Sequence, residues 1–312
     1  MLIPFASSPA EGCRQALASL QLPRLERLLA RLDAGPRDAG DERSLSMPHE
    51  RVLARACGLA VADGRIPWAA WQLQQAGRSP GRQAWARITP CHWRVGSDHV
   101  AMEDPDRLEL EEDESRALLA AVQPFFDEDG MALEYAAPTC WLARGEIFRD
   151  LPAASLDRVI GRTVDAWLPR VAGAGPLRRL QQEVQMLLYT HAVNDDRQQR
   201  GLPPVNSFWV SGTGALGEAP PAPLAAAPQP VPALREPALA GDWGAWADAW
   251  RELDAGPCAR LLAAASAGQA VTLTLCGERH AQSWTGGGSG GLRRWLAGRF
   301  AGRRAAAALE AL

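Results

Sequence analysis

The sequence contains no lysine, so all 33 of its basic residues are arginines. This absence excludes Schiff-base chemistry, the lysine of a phosphate-binding P-loop and any other catalytic lysine. No apolar run is long enough to span a bilayer, and the first residues lack a charged segment followed by a sustained apolar core. We therefore expect a cytoplasmic protein that does not enter the membrane.

The sequence also lacks an excess of basic over acidic residues, and it lacks recognisable metal-binding motifs. The net charge of −3 argues against a general nucleic-acid binder. Six cysteines are scattered without a Cys-x-x-Cys pair, which predicts free thiols instead of structural zinc or a disulfide framework. His92 and His99 flank an expected hairpin with Asp98 beside them, but two imidazoles do not make up a metal ligand set. We expect no bound metal.

The order of patterns along the chain mixes short strands with amphipathic helices, which predicts an α/β fold with a mixed sheet flanked by helices. Residues 215–237 are rich in proline and alanine and have no apolar period, as in a stiff linker. The expected organisation is a main α/β region over 1–214, the linker over 215–237, and a helix–strand–helix segment over 238–312 that packs on the main region. In that last segment the tryptophans 243, 246 and 250 recur at helical spacing, which indicates core positions.

Helix boundaries are marked in two places. Acidic residues from 111 onward predict a helix start, because carboxylates stabilise the first turn. Pro176 suits the first turn of a second helix, whose leucines and His191 are expected on one face. Asn194 is a candidate N-cap for a short helix that Gly201 would end.

The stretch VNSFWVSGTG is a hydrophobic strand that runs into glycines. A nucleotide loop would need a helix after them, and a proline-rich linker follows instead. Gly212 and Gly214 are therefore expected to permit a tight turn or a close backbone approach. The later TGGGSGG precedes a basic helix with Arg293 and Arg294; a surface loop is favoured there, and an anion site is the alternative.

Residues His191, Asn194 and Arg197 are spaced by three, so a continuous helix would place them on one side. Further arginines lie nearby in sequence, at positions 158, 162, 170, 178, 179 and 200. Arginine binds phosphate and carboxylate groups through two parallel hydrogen bonds. One interpretation is an anion site. The other is that His191 caps an apolar face and the arginines are solvated.

Several segments carry a resemblance: HWRVGSDHVAM, SLDRVIGR, LRRLQQEVQMLLYTHAVNDDRQQRGLPPVNSFWVSGTG and LTLCGE. Through them the chain resembles the RpfE-type regulatory proteins of proteobacteria. That family is distantly similar to archaeal-type cofactor-independent phosphoglycerate mutases of the alkaline-phosphatase-like superfamily. The similarity rests on an H-x-x-N-x-x-R-x-x-x-G helix end, here His191, Asn194, Arg197 and Gly201. It implies a degenerate mutase-like scaffold.

The chain departs from the mutase pattern at the positions of the metal ligands. The mutases resemble phosphatases in using two metal ions, and their first strand ends in Asp-Gly, whereas LIPFASSP has no acid. Their late strand leads into Asp-His, where LTLCGERH offers Glu278 and His280. A two-metal centre needs several converging ligands.

The resemblance thus implies a non-catalytic regulatory protein that binds a phosphorylated or carboxylated small molecule, or a protein partner, without a cofactor. The expected ligand-binding residues are His191, Asn194, Arg197 and Asn206, with Arg158 and Arg162 as supporting cations. The first alternative is an active metal-dependent phosphoglycerate mutase or phosphatase, which would require Mn or Zn. The second is an interaction protein whose contact surface is the tryptophan-rich segment after residue 240.

Overall fold

The computed structural model describes residues 1–59, 62–97, 99–217, 228–287 and 304–312. Sheets flanked by helices, one of them a mixed sheet, confirm the predicted α/β class. Among the described residues, no helix has the length and apolar character needed to cross a membrane. Asp98, Arg293, Arg294, the end of TGGGSGG and residues 218–227 of the expected linker lie outside the described ranges.

The secondary-structure elements alternate along the chain. The strands are β1 (Leu2–Ile3), β2 (Asp33–Ala39), β3 (Trp85–Cys91), β4 (Trp93–Val95), β5 (Val100–Met102), β6 (Ala132–Ala137), β7 (Cys140–Arg144), β8 (Ser207–Gly214), β9 (Val271–Cys276) and β10 (His280–Gly286). The helices are α1 (Glu11–Ser19), α2 (Pro23–Leu29), α3 (Pro48–Ala56), α4 (Trp68–Gln75), α5 (Glu112–Glu128), α6 (Leu156–Val159), α7 (Gly175–Tyr189), α8 (Ala192–Gln199), α9 (Arg235–Ala240), α10 (Trp243–Leu253), α11 (Ala259–Ser266) and α12 (Arg304–Glu310).

The chain divides into two compact units. Unit 1 comprises Met1–Arg43, Met47–Ala56 and Ala226–Leu312, and unit 2 comprises Ser44–Ser46 and Cys57–Ala225. This grouping differs from the expected boundaries at residues 214 and 238. The physical reason is a shared core: the first helices and the segment after the linker bury their apolar faces against the same sheet.

Unit 1 is built on a four-stranded sheet in the order β1-β9-β10-β2. Strand β1 runs parallel to β9, with Leu2 opposite Thr274, and β10 is antiparallel to both β9 and β2. Strands β1, β9 and β2 consequently point in the same direction. Their carboxyl ends meet at one edge of the sheet, which is where open α/β sheets bind ligands.

Helix α10 supplies the largest side chains of the unit 1 core. Trp246 and Trp250 are fully buried, while Trp243 packs half-buried beside them. The indole nitrogens of Trp246 and Trp250 donate hydrogen bonds to the carbonyl oxygens of Phe5 and Ala6 at 2.9 and 3.3 Å. Burial with a satisfied N–H is the state in which tryptophan stabilises a core. The predicted core role of this helix is confirmed.

Unit 2 contains an antiparallel sheet in the order β6-β7-β3-β8. Helices α5 and α7 cover one face, where the rings of Phe126 and Phe208 lie 5.2 Å apart. Helix α4 packs on β8 at Gly212, whose φ is +61° and where an added Cβ would lie 3.0 Å from the Cβ of Trp68. The expectation of a close backbone approach at this glycine is confirmed. The glycines belong to the strand and do not form a loop over a ligand.

Local signals predicted several elements correctly. Helix α5 begins with a capping box in which Glu111 and Glu114 each accept from the other's main chain. Helix α7 has Pro176 in its first turn, and Gly201 follows α8 with a φ of +74°. Strands β4 and β5 form the expected hairpin, closed by a hydrogen bond from the Gly96 N–H to the His99 carbonyl at 2.8 Å.

One boundary prediction was wrong. Helix α7 ends at Tyr189, so His191 does not lie on its apolar face. His191 is itself the N-cap of α8, where its Nδ1 accepts from the Val193 N–H at 3.3 Å. Asn194, the predicted N-cap, lies inside α8, because its amide is used for contacts with the segments on either side of the helix.

Candidate anion-binding site

Asn194 is buried and connects three chain segments. Its Nδ2 donates to the carbonyls of Leu188 and Val205, both at 2.8 Å, and its Oδ1 accepts from the Val205 N–H at 2.8 Å. Buried amides of this kind replace main-chain pairing where no regular structure is available. Asn194 therefore fixes the path of the chain into β8.

Arg197 is fully buried, and each of its guanidinium nitrogens donates to the protein. Nε donates to the Pro203 carbonyl at 3.0 Å, Nη1 to a Glu114 carboxylate oxygen at 2.7 Å, and Nη2 to the Leu108 carbonyl. Glu114 also pairs with Arg200, which is partly exposed. The geometry makes Arg197 a link between α8, the start of α5 and the loop before β8.

Asn206 anchors the β4–β5 hairpin. Its Oδ1 accepts from the Trp93 N–H at 2.7 Å and its Nδ2 donates to the Trp93 carbonyl at 2.9 Å. Trp93 pairs with Met102, whose N–H donates to the Arg162 carbonyl at 3.3 Å. Arg162 and Asn206 are thus joined through the hairpin.

Arg158 lies on α6 and is fully buried, with its guanidinium carbon 5.7 Å from the centre of the Trp167 ring. Arg162 is half-buried. The contacts of Asn194, Arg197 and Asn206 run to the protein's own groups and give them structural roles. Ligand binding by the six predicted residues stays a prediction.

The histidine pair does not gather a ligand set. His92 uses Nδ1 for a contact with the Pro204 carbonyl at 2.8 Å. Within the described ranges, no three or more His, Cys, Asp or Glu side chains are grouped so that they could hold a metal ion. The cysteines there have free thiols, as expected.

In unit 1 the structure brings together the segments LIPFASSP and LTLCGERH, which are far apart in sequence. The chain after β1 and the chain after β9 lie side by side, because the Ala6 N–H donates to the Cys276 carbonyl at 2.8 Å. The Ser8 hydroxyl donates to a Glu278 carboxylate oxygen at 3.2 Å. The sequence could not predict that these two segments are neighbours, because they are far apart in the chain and meet only through the pairing of β1 with β9.

Charged side chains gather at the same edge of the sheet and are called here the carboxyl-end cluster. Its members are Arg37, Asp38, Arg51, Arg55, Arg279 and His280. Arg51 and Asp38 form a buried ion pair, with Nε 2.7 Å from Oδ1, and Arg55 also pairs with Asp38. Arg51 further donates to the Arg279 carbonyl at 3.1 Å. The cluster is held in place by the sheet and by α3.

The pKa of His280 is affected by its burial and by the charged side chains of this cluster. Burial is the largest cause of the lowered pKa of His280, and the positive charges of Arg37, Arg279 and Arg51 lower it further. Its Nδ1 accepts from the Gly40 N–H at 3.3 Å, which suits a neutral ring. The arginines add positive charge around His280, which favours a bound anion, and the negative charge of Asp38 partly offsets it.

The backbone at the end of β1 is strained. Phe5 has a φ of +56°, a region that non-glycine residues seldom occupy. The indole N–H of Trp246 donates a hydrogen bond to the Phe5 carbonyl. The centre of the Phe5 ring lies 5.6 Å from that of the buried His49 ring. Strained backbone of this kind is found more often at functional sites than elsewhere.

No protein-family model matches the sequence, and no curated protein matches it. Among solved structures, a cofactor-independent phosphoglycerate mutase from Thermoplasma acidophilum is similar over 100% of this chain and 98% of its own, with 13% identity and a TM-score of 0.36. A protein from Pyrococcus horikoshii is similar over 92% of this chain and 87% of its own, with 10% identity and a TM-score of 0.36. The chain therefore has a weak structural resemblance to a cofactor-independent phosphoglycerate mutase.

Proposed function

We propose that this chain is a cytoplasmic regulatory protein of the RpfE type that binds a small phosphorylated or carboxylated molecule at the carboxyl-end cluster without turning it over. The observation that carries the proposal is the gathering of arginines, with Arg51 and Arg55 on Asp38 and Arg51 on the Arg279 carbonyl, where three strands of one direction end. A ligand that carries a phosphate or carboxylate would meet guanidinium groups there.

The arginines of the cluster differ in burial and would contribute to anion binding in different ways. Arg51 is buried and fixed by Asp38, so it contributes a preorganised charge. Arg279 and Arg55 have side chains that are 42% and 53% exposed, so they can turn toward a ligand. A planar guanidinium binds an oxyanion with two parallel hydrogen bonds, which favours phosphate and carboxylate over halide.

Anion binding is expected to raise the pKa of His280, because a bound negative charge offsets the field of the arginines. The test is an NMR pH titration of the imidazoles with and without inorganic phosphate, citrate or 3-phosphoglycerate, alongside calorimetry. The other histidines serve as internal references. Binding should strengthen as the pH falls through the pKa of His280.

Arg279→Ala should weaken this binding about tenfold, the effect of losing one charge-assisted hydrogen bond. It should also raise the pKa of His280 in the free protein, since one repelling charge is gone. Arg251→Ala, which removes an exposed arginine of α10, is the matched control and should change neither value. A His280 titration that no anion alters would exclude the cluster as the site.

The six residues predicted from the sequence are the alternative location for the same class of ligand, and an experiment can distinguish them from the carboxyl-end cluster. Arg162 is the half-buried cation among them. If the anion binds in unit 2, Arg162→Ala should reduce affinity while the titration of His280 stays unchanged by ligand. This pattern would move the proposal to the predicted residues.

The absence of turnover is tested directly. We expect no interconversion of 2- and 3-phosphoglycerate and no phosphate release, with Mn, Mg and Zn supplied in turn. The side chains at the ends of β1 and β9 offer one carboxylate and one imidazole, Glu278 and His280, and a two-metal centre needs several such ligands. Turnover that disappears with EDTA would show an active metal-dependent mutase or phosphatase instead.

A further inference from the structure

Helix α7 presents one exposed side. Its buried side, with Leu180, Val184 and Leu188, packs in the core of unit 2. On the other side Met186 and Tyr189 have side chains that are 76% and 83% exposed, and they lie within one turn of each other. Single exposed apolar residues are ordinary on a protein surface, but a contiguous group of them indicates a contact surface.

An open apolar groove lies beside these two residues. It has a volume of about 390 Å³ and is lined by Phe125, Gln182, Glu183, Met186 and Leu187. Phe125 belongs to α5, and the other four residues belong to α7. Phe125 and Leu187 are half-buried, so each keeps apolar surface in contact with solvent. The exposed apolar surface therefore spans two helices of unit 2.

A stripe of larger side chains follows α7 next to Met186. It consists of Arg178, Gln182, Gln185 and Tyr189, separated by four, three and four residues. This spacing keeps side chains on one side of an α-helix. Arg178 donates to the Pro169 carbonyl at 3.4 Å. In the part of the chain that the structure describes, the two glutamine amides and the Tyr189 hydroxyl form no hydrogen bond, and Arg178 forms no ion pair. The neighbouring Arg179 already forms ion pairs within its own copy, so it is left out of the stripe.

The stripe is complementary to itself when it is reversed. Two antiparallel α7 helices, related by a two-fold axis level with residues 183 and 184, place Gln182 opposite Gln185 of the second copy. The same axis places Arg178 opposite Tyr189 of the second copy. Facing glutamine amides can pair, because each donates and accepts, and a guanidinium packs favourably on a tyrosine ring. A two-fold axis also brings like sides of two antiparallel helices together, so the apolar grooves of both copies would meet.

We propose that a second copy of this chain covers this face, so that two copies form a symmetric dimer through antiparallel α7 helices. The tyrosine, methionine, phenylalanine and arginine side chains of the face are of the types enriched in protein interfaces. One helix from each copy gives an interface at the low end of the size range, so the dissociation constant should be weak, on the order of 10–100 μM.

The first test is sedimentation equilibrium of the full chain between about 5 and 500 μM, a range that brackets this constant. Tyr189→Arg places two arginines opposite each other and should weaken the dimer at least about tenfold. Adding Arg178→Glu to Tyr189→Arg restores opposite charges across the axis and should return the constant to within about threefold of the wild-type value. Within one copy the two positions are about 16 Å apart along the helix, so this rescue requires two copies.

Val95→Arg is the matched control. It places the same charge on an apolar side chain that is 78% exposed but lies on β4, so it should leave the dissociation constant unchanged. All of the altered side chains are exposed, and far-UV circular dichroism checks that each variant stays folded.

Disulfide cross-linking tests the register of the two helices. A mixture of Gln182→Cys and Gln185→Cys should form the mixed disulfide, because the two positions face each other across the axis. Arg178→Cys should not cross-link to itself, since its two copies would lie about 16 Å apart along the helices. The wild-type protein gives the background from its native thiols.

Three results would overturn the proposal. The first is a monomer over the whole concentration range, which would leave this face for a different partner. The second is a dimer that Tyr189→Arg does not weaken, which would place the contact elsewhere on the chain. The third is efficient cross-linking of Arg178→Cys to itself without the mixed disulfide, which would require parallel helices.

Discussion

Replacement of Arg197 by alanine is expected to lower the free energy of unfolding of unit 2 by about 3–5 kcal/mol, the usual effect of breaking a buried ion pair. The variant leaves Glu114 without its buried partner and removes the donors to the Pro203 and Leu108 carbonyls. Urea unfolding followed through the amide NMR signals of α8 and β8 measures the change.

Arg200→Ala is the matched control. It removes the second partner of the same carboxylate, but its side chain is 44% exposed, so the loss should stay below about 1 kcal/mol. Equal losses for the two variants would contradict the structural role of Arg197.

The ion pairs of Glu114 with Arg197 and Arg200 predict that the stability of unit 2 depends on pH. Burial alone would raise the pKa of Glu114, but the Glu111 N–H and the charges of Arg197 and Arg200 outweigh burial and lower it. A lowered folded-state pKa contributes stability that is present above the unfolded value of about 4.3 and is lost as the pH falls through the folded value. The acid loss should be smaller in Arg197→Ala, because less of the shift remains there.

Asp38→Asn is expected to lower the free energy of unfolding of unit 1 by about 3–5 kcal/mol and to tighten anion binding. Arg51 would stay buried without the Asp38 charge, while the more exposed Arg55 would lose its ion-pair partner and become available to a ligand. The pKa of His280 should fall further, because Asp38 is the nearby charge that raises it. Thermal unfolding, phosphate calorimetry and the imidazole titration measure the three effects on one variant.

Arg55→Gln provides the comparison for Asp38→Asn. Its side chain is 53% exposed, so stability should fall by less than about 1 kcal/mol, and anion affinity should fall as well. If Asp38→Asn weakened phosphate binding in a protein that was still folded, the carboxyl-end cluster would not be acting as an anion site.

Sequence patterns predicted the elements whose signals are local. The capping box at Glu111, the proline in the first turn of α7 and the tryptophan period of α10 each act within a few residues. Strand β2, Asp33–Ala39, has no such signal, because its DAGPRDA sequence has the composition of a turn. It is a strand because β10 pairs with it, which depends on residues far away in sequence.

The site illustrates the same limit. The spacing of His191, Asn194 and Arg197 predicts that they share one side of a helix, and Asn194 and Arg197 do lie on α8. Spacing could not show that their polar atoms turn inward to main-chain carbonyls and Glu114. The carboxyl-end cluster was missed since Asp38, Arg51 and His280 come from three separate stretches of the chain.

The pairing of Leu2 with Thr274 has a consequence for how the chain acquires its structure during synthesis. Unit 2 is almost continuous in sequence, so a ribosome releases all of it before residues 226 to 312 appear. Until residues 226 to 312 are made, β1 has no partner strand, and α1 and α2 lack the side chains that complete their core. Apolar surface that waits in this way is a target for chaperones and for aggregation. Truncation after residue 225 would therefore leave unit 1 permanently in that unpaired condition.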